Sequence, residues 1–116
     1  MRKRETAVET FLKLEIRAGT VTAAEPLAEA RRPAYVLTLD FGPEVGVMRS
    51  SAQVTRRYAA DELVGTQVLA VVNFPPRRIA GFASECLVLG VVNPDDSADV
   101  VLVRPAAAGT TGWELA

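Results

Sequence analysis

Between Val68 and Val92 the chain reads VLAVVNFPPRRIAGFASECLVLGVV, and the centre of that stretch gathers groups suited to holding an anion: Asn73, Arg77, Arg78 and Ser84. A guanidinium pairs bidentately with phosphate and stacks on bases, whereas a carboxamide presents a donor and an acceptor together. Pro75 and Pro76 lack amide protons, so a paired central strand cannot run through them. Arg77 and Arg78 are therefore expected on an exposed, irregular connection, where both can face one partner. A helix would splay them by about 100°, and a strand would send them to opposite faces. From these residues alone two readings stay open: a solvated connection kept soluble by its charge, or a loop that faces a polyanion.

Eleven of the 13 basic residues are arginine, and most are clustered: Arg2 with Arg4, Arg31 with Arg32, Arg56 with Arg57, Arg77 with Arg78. The net charge of −1 hides an uneven distribution. Residues 31–92 carry seven basic and five acidic side chains, and beyond Val92 the chain sets Asp95, Asp96, Asp99 and Glu114 against Arg104 alone. Attraction to nucleic acid must come from such a distribution rather than from the total. Arg49, Arg56 and Arg57 are candidates to extend a cationic track from Arg77 and Arg78.

Catalysis is not expected. The chain has no histidine, which removes the commonest general base and the imidazole ligand of zinc sites. Its single cysteine, Cys86, lies in an apolar run with nothing to hold it as thiolate, so a buried, inert thiol is the expectation. No glycine-rich phosphate loop occurs, and Asp95 with Asp96 sits in a Pro-Asp-Asp-Ser sequence that shapes a turn. Neither a metal nor an organic cofactor is expected.

With 116 residues the chain is expected to form one domain, 1–116, that removes roughly two-thirds of its unfolded surface from water. No apolar stretch reaches the length of a signal peptide or of a membrane span, about 18 residues, so no membrane insertion and a cytoplasmic location are expected. A short helix is expected over 5–14, with Thr6 and Glu9 as a capping box and Val8, Phe11 and Leu12 on one face. So short a helix must dock that face, on the end of the domain or on a second copy of the chain.

Strands are expected over Ile16–Ala24, Tyr35–Phe41, Val45–Ser50, Gln67–Asn73, Glu85–Val92 and Val100–Pro105. Gly19 suggests a bulge or bend in the first. Helical turns are expected between Ala52 and Leu63, carrying Arg56 and Arg57 and ended by Gly65. Phe74 follows the parity of Val72 and reads as core. Phe82 is left open between core, a base-stacking surface and a peptide pocket. Asn73 reads either as a backbone anchor or as a base reader. The order strand, strand, strand, short helix, strand, strand suits an all-β fold, a five-stranded Greek-key barrel of the OB type, although small sandwiches and SH3-like barrels share much of that order.

Three segments, FLKLEIRAGTV, DFGPEVGVMRSSAQVTRRY and VVNFPPRRIAGFASECLVLG, closely resemble the small bacterial CsaA proteins, described as export-related chaperones. Through them the chain is similar to the tRNA-binding domain at the C-terminus of bacterial methionyl-tRNA synthetases. The resemblance, from Phe11 to Pro105, implies an OB-fold barrel, a homodimer, and tRNA binding alongside peptide or preprotein binding. Asn73, Arg78, Gly81 and Ser84 match the wider pattern, as does Ser51, whereas Ala80 and Leu87 depart from it. The implied RNA-binding set is Arg49, Ser51, Arg56, Arg57, Asn73, Arg77, Arg78 and Ser84. Val8, Phe11, Leu12 and Trp113 are expected at the dimer interface, within the helix and a C-terminal extension, 93–116. The alternative is a chaperone that binds unfolded polypeptides through an apolar site near that interface, with Phe82 as a candidate contact.

Overall fold

In a computed structural model that describes all of residues 1–116, the sequence pattern that decides the architecture is the strict alternation of β2 (Tyr35–Asp40). Tyr35, Leu37 and Leu39 point into the core and Val36, Thr38 and Asp40 point away from it. β2 pairs antiparallel with β1 (Ile16–Pro26) on one side and β3 (Val47–Ala52) on the other. β1 is long enough to serve two partners. Its second half pairs with β2, while Ile16 to Thr20 pairs with β4 (Gln67–Val71). β4 in turn pairs with β7 (Leu87–Val88), giving the order β3-β2-β1-β4-β7. The fourth strand thus returns beside the first, which is Greek-key connectivity.

The sheet curls into a nearly closed five-stranded antiparallel barrel of the OB type. Val21, Leu37, Leu39, Phe41 and Val68 fill it, all essentially without exposure. The bend in β1 falls at Thr22, where the register with β2 shifts between Val21 and Ala23, and not at Gly19. Gly19 has another reason to lack a side chain. A Cβ there would lie 2.6 Å from a ring carbon of Phe41, so the glycine admits the aromatic ring into the core.

Closure between β3 and the β7 side is made largely by side chains. The Glu85 amide donates to the Arg49 carbonyl at 2.8 Å, and the Ser51 amide donates to Ser84 Oγ at 3.1 Å. The Arg49 amide donates to the Glu85 carboxylate at 3.1 Å. These bonds satisfy an edge that would otherwise offer unpaired groups to another strand. They also explain why the strand expected over Glu85–Val92 is broken. Glu85 leaves the ladder to cap β3, and the chain runs instead as β6 (Phe82–Ser84), β7 and β8 (Gly90–Asn93).

The remaining boundaries shift in the same way. The stretch expected to be helical from Ala52 starts as the end of β3, turns through Thr55–Arg57, and is helical only in α2 (Ala60–Leu63). The Ala59 amide donates to the Glu62 carboxylate at 2.6 Å, and Leu63 plugs the barrel end with 1% exposure. β9 (Asp96–Leu102) begins earlier than expected and pairs with β8 as a separate ribbon. Tyr58 anchors that ribbon. Its hydroxyl accepts from the Leu102 amide at 3.1 Å, and its carbonyl accepts from the Tyr35 hydroxyl at 2.7 Å.

Helix α1 (Val8–Leu12) is shorter than the expected 5–14, and the capping box does not form. Thr6 bonds Thr10 through their hydroxyls, and Ala7 holds the cap position without a side-chain bond. None of its residues is buried within the chain, so Val8, Phe11 and Leu12 stay exposed. The C-terminal residues 112–115 run along the start of β1, with Trp113 and Leu115 bonded to Ala18 and Ile16. No helix is long and apolar enough to cross a membrane.

Candidate nucleic-acid interface

The double proline ends the strand before it, but the arginines after it do not lie on an irregular loop. Arg77–Ile79 forms β5, which pairs with β6 in a hairpin whose tip is Ala80-Gly81. Both tip residues have positive φ, 46° and 88°, as a two-residue hairpin turn matched to strand twist requires. Alternation then sends Arg77 and Ile79 to the face that carries Phe82 and Ser84, and Arg78 with Ala83 to the other. The expectation that Arg77 and Arg78 share one face is therefore corrected. Two pairing residues after the prolines suffice to restore a strand.

The hairpin lies over the outward side of β3, where Arg49, Ser51 and then Gln53 alternate with the buried Ser50 and Ala52. The Arg49 guanidinium sits 5.2 Å from the centroid of Phe82, a cation–π stack. Phe82 is only 8% exposed, whereas Phe74 is 43% exposed. The parity argument for Phe74 as core fails because β4 ends at Val71, so alternation no longer governs its direction.

Asn73 explains that ending. Its carbonyl oxygen accepts from the Glu15 amide at 2.9 Å, and its NH2 donates to the Lys13 carbonyl at 2.9 Å. Both ends of the carboxamide are occupied in fixing the chain between α1 and β1. Ser51 and Ser84 meet in the closure bond described above, and Ser84 is buried. Three polar residues of the expected set thus hold the frame. Cys86 lies beneath them, and burial, followed by the charge of Glu85, pushes its thiol up to about 12, well away from thiolate chemistry.

The loop after β1 makes the opposite wall. Its neck is closed by the Leu27 amide donating to the Ala34 carbonyl at 2.9 Å, which leaves Arg31 and Arg32 exposed at the tip. Three clefts run in succession between this loop, β3 and the hairpin. The first, about 140 Å³, lies between Arg77, Phe74, Ser84 and Leu87. The second, about 470 Å³, shares Ser51 and Ile79 with the first and reaches Arg31 and Arg32. The third, about 370 Å³, shares Arg32 and Gln53 with the second and ends at Arg56. One trough along β3 therefore links Arg77 to Arg56. Arg31 and Arg32, which the sequence shows only as one of its arginine clusters, line its middle; only the fold shows that their loop faces β3.

Ion pairing sorts the arginines. Ion pairs form at Arg17, Arg56 and Arg57. Arg57 binds Asp99 with two parallel bonds, 2.8 and 2.9 Å, tying the β8–β9 ribbon to the turn after β3. The Arg57 guanidinium, helped by Asn93, holds the Asp99 carboxyl down at about 2. Arg56 forms an ion pair with Asp96 without that two-bond geometry. Arg31, Arg32, Arg49, Arg77 and Arg78 carry their charge without a carboxylate in ion-pair range.

The comparisons agree with this architecture. The family described as "Putative tRNA binding domain" matches residues 16–113. A solved chaperone CsaA from Bacillus anthracis is 50% identical with a TM-score of 0.90, covering 97% of this chain and 100% of that one. The CsaA chaperone protein of Picrophilus torridus is 40% identical with a TM-score of 0.89, over 97% of this chain and 100% of its own. The methionine–tRNA ligase of Porphyromonas gingivalis is 35% identical over 111 residues, 96% of this chain but 16% of the ligase. The chain thus spans about one-sixth of that ligase's length, the ratio given by the 16% coverage. A barrel of this topology, matched along nearly its whole length, belongs to the tRNA-binding domain family and within it resembles the free-standing CsaA proteins.

Proposed function

We propose that this protein is a non-catalytic, homodimeric RNA-binding module of the cytoplasm whose ligand is tRNA or a similarly structured RNA. One observation carries the reading: of the arginines without acidic partners, Arg31, Arg32 and Arg77 border a single trough beside β3, Arg49 stacks on Phe82 next to it, and Arg78 stands on the outer face of the same hairpin. Unpaired guanidinium groups along a groove suit a phosphate backbone, and the family match points to tRNA. Asn73, Ser51 and Ser84 act as scaffold in this reading, and Arg57 holds the ribbon. A shape-and-backbone mode is favoured, because Phe82 is buried and Phe74 is the one half-exposed aromatic at the trough.

The dimer would bury what α1 exposes, Val8, Phe11 and Leu12, together with Trp113 on the C-terminal segment. Two troughs fixed in one particle would then grip one folded RNA with avidity. The chaperone reading has its own observation, the small cleft in which Phe74 and Leu87 stand beside Arg77. An unfolded polypeptide could place an apolar side chain there.

Filter binding of total tRNA over a salt series tests the main reading. Replacing Arg77 and Arg78 together by Ala should lower the slope of log Kobs against log salt by about 1.4–1.8 and affinity by about tenfold or more. Unchanged slope and affinity would reject the trough. Suppression of client aggregation that persists with excess tRNA would favour the chaperone reading.

A further inference from the structure

The third cleft stands apart from the rest of the trough because its cation already has an intramolecular anion. It is walled by Arg32 from the loop, Gln53, Thr55 and Arg56 from the end of β3 and its turn, and Ser97 from the β8–β9 ribbon. Asp96 reaches Arg56 from the ribbon. The two neighbouring ion pairs of this ribbon differ in kind. Arg57 and Asp99 are joined bidentately, with Asn93 adding a further bond to Asp99 at 3.1 Å. Arg56 and Asp96 form an ion pair without the two hydrogen bonds that join Arg57 to Asp99, and 60% of the Arg56 side chain remains exposed. The first arrangement fixes the ribbon whether or not the second is made.

We infer that this cleft is a phosphate subsite and that Asp96 is its built-in competitor, a carboxylate that occupies Arg56 until a phosphodiester of bound RNA displaces it. The inference rests on the RNA-binding reading above and extends it to the far end of the trough. An exposed ion pair is worth little in water, so exchanging it is cheap. A phosphate in the cleft meets Arg56 and Arg32 together, and hydroxyl and amide donors from Thr55, Ser97 and Gln53 are at hand for its remaining oxygens. A volume of about 370 Å³ leaves room for the attached ribose. Asp96 thereby weakens binding by anything that cannot also engage Arg32, which favours a ligand whose phosphates continue along the trough over a stray anion. Its carboxylate also accepts from the Ala98 amide at 3.1 Å, so it stays beside the cleft after releasing Arg56.

The test is tRNA binding by filter assay over a salt series with five variants of the full chain, each checked for the wild-type circular dichroism spectrum. Asp96→Asn should raise affinity about three- to tenfold at low salt, because Arg56 is freed for phosphate contact. Arg56→Ala should lower the salt slope by about 0.7–0.9, and Arg32→Ala should do the same. In Arg56→Ala the added Asp96→Asn should bring less than half of its gain. Asp95→Asn, on the same turn without an arginine partner, separates release of Arg56 from the mere loss of a negative charge. Equal gains from Asp95→Asn and Asp96→Asn, or a full Asp96→Asn gain without Arg56, would overturn the inference. Wild-type binding with no response to any of these changes would overturn it while leaving the RNA-binding reading intact; absence of wild-type binding at every salt would remove both.

Discussion

Two arginine pairs with the same sequence appearance, Arg56-Arg57 and Arg77-Arg78, end in opposite electrostatic situations. The first lies in the turn after β3 against a ribbon that supplies Asp96 and Asp99, and both of its guanidinium groups are paired. The second lies on a hairpin whose arginines make no ion pair, although Glu29 reaches its tip at Gly81 and Glu85 lines the cleft beside Arg77; one arginine goes to each face, and Arg78 bonds the Gly81 carbonyl at 3.2 Å. Adjacent arginines therefore carry no meaning by themselves. What separates the two situations is the acidic segment, Asp95 to Asp99, that folds back onto one pair and not the other.

The comparison is broken most directly by charge. Replacing Arg77 and Arg78 together by Glu should reduce tRNA affinity by about a hundredfold or more at low salt, since two contacts are lost and two repulsions added. Arg57→Ala should leave the salt slope unchanged and register instead as a lower Tm. If Arg57→Ala flattened the slope as much as the hairpin change does, the two pairs would not be distinct.

The base of the hairpin sharpens it next. Asn73→Ala leaves the Glu15 amide and the Lys13 carbonyl without partners and should cost about 1–2 kcal/mol in denaturant unfolding. Its salt slope for tRNA should match wild type if Asn73 is scaffold rather than a base reader. At the tip, Ala80 holds φ at 46°, the left-handed region. Ala80→Gly should therefore stabilise the hairpin by up to about 1 kcal/mol, with no change in salt slope.

Acid should produce the smallest effect, on the paired arginines alone. Asp99 titrates at about 2 instead of the ordinary 3.8, so its contribution to stability is full above the ordinary value and is lost as pH falls from 3.8 towards 2. Carboxylate titration by NMR should show Asp99 as a low outlier in wild type and moved up towards the ordinary value in Arg57→Ala, where only the Asn93 bond still holds it down. The Arg77-Arg78 hairpin has no such carboxylate to protonate.

Much of this was legible because it depends on local pattern. Leu37 and Leu39 alternate with polar residues strictly enough to fix β2, whereas the order of elements is shared with small sandwiches and SH3-like barrels, and the family resemblance singled out the OB-type barrel. The special character of Val68–Val92 follows from its prolines and arginines. The local errors share a cause. The strand expected at Glu85 breaks because that residue spends its backbone and side chain on β3, thirty-six positions away in sequence. Thr6 and Glu9 make no capping box in a helix that nothing in the chain covers.

The sequence by itself determined the strand pattern and supplied the cations. Both follow from side-chain chemistry and period-two spacing, which act over neighbouring residues. Only the tertiary structure decided which cations remain free. A guanidinium is neutralised by whatever carboxylate lies within a few ångströms, and that neighbour arrives from distant chain: Asp99 to Arg57 across 42 positions. The same long-range folding set Arg31 and Arg32 across β3 from Arg77, turning scattered charges into one trough.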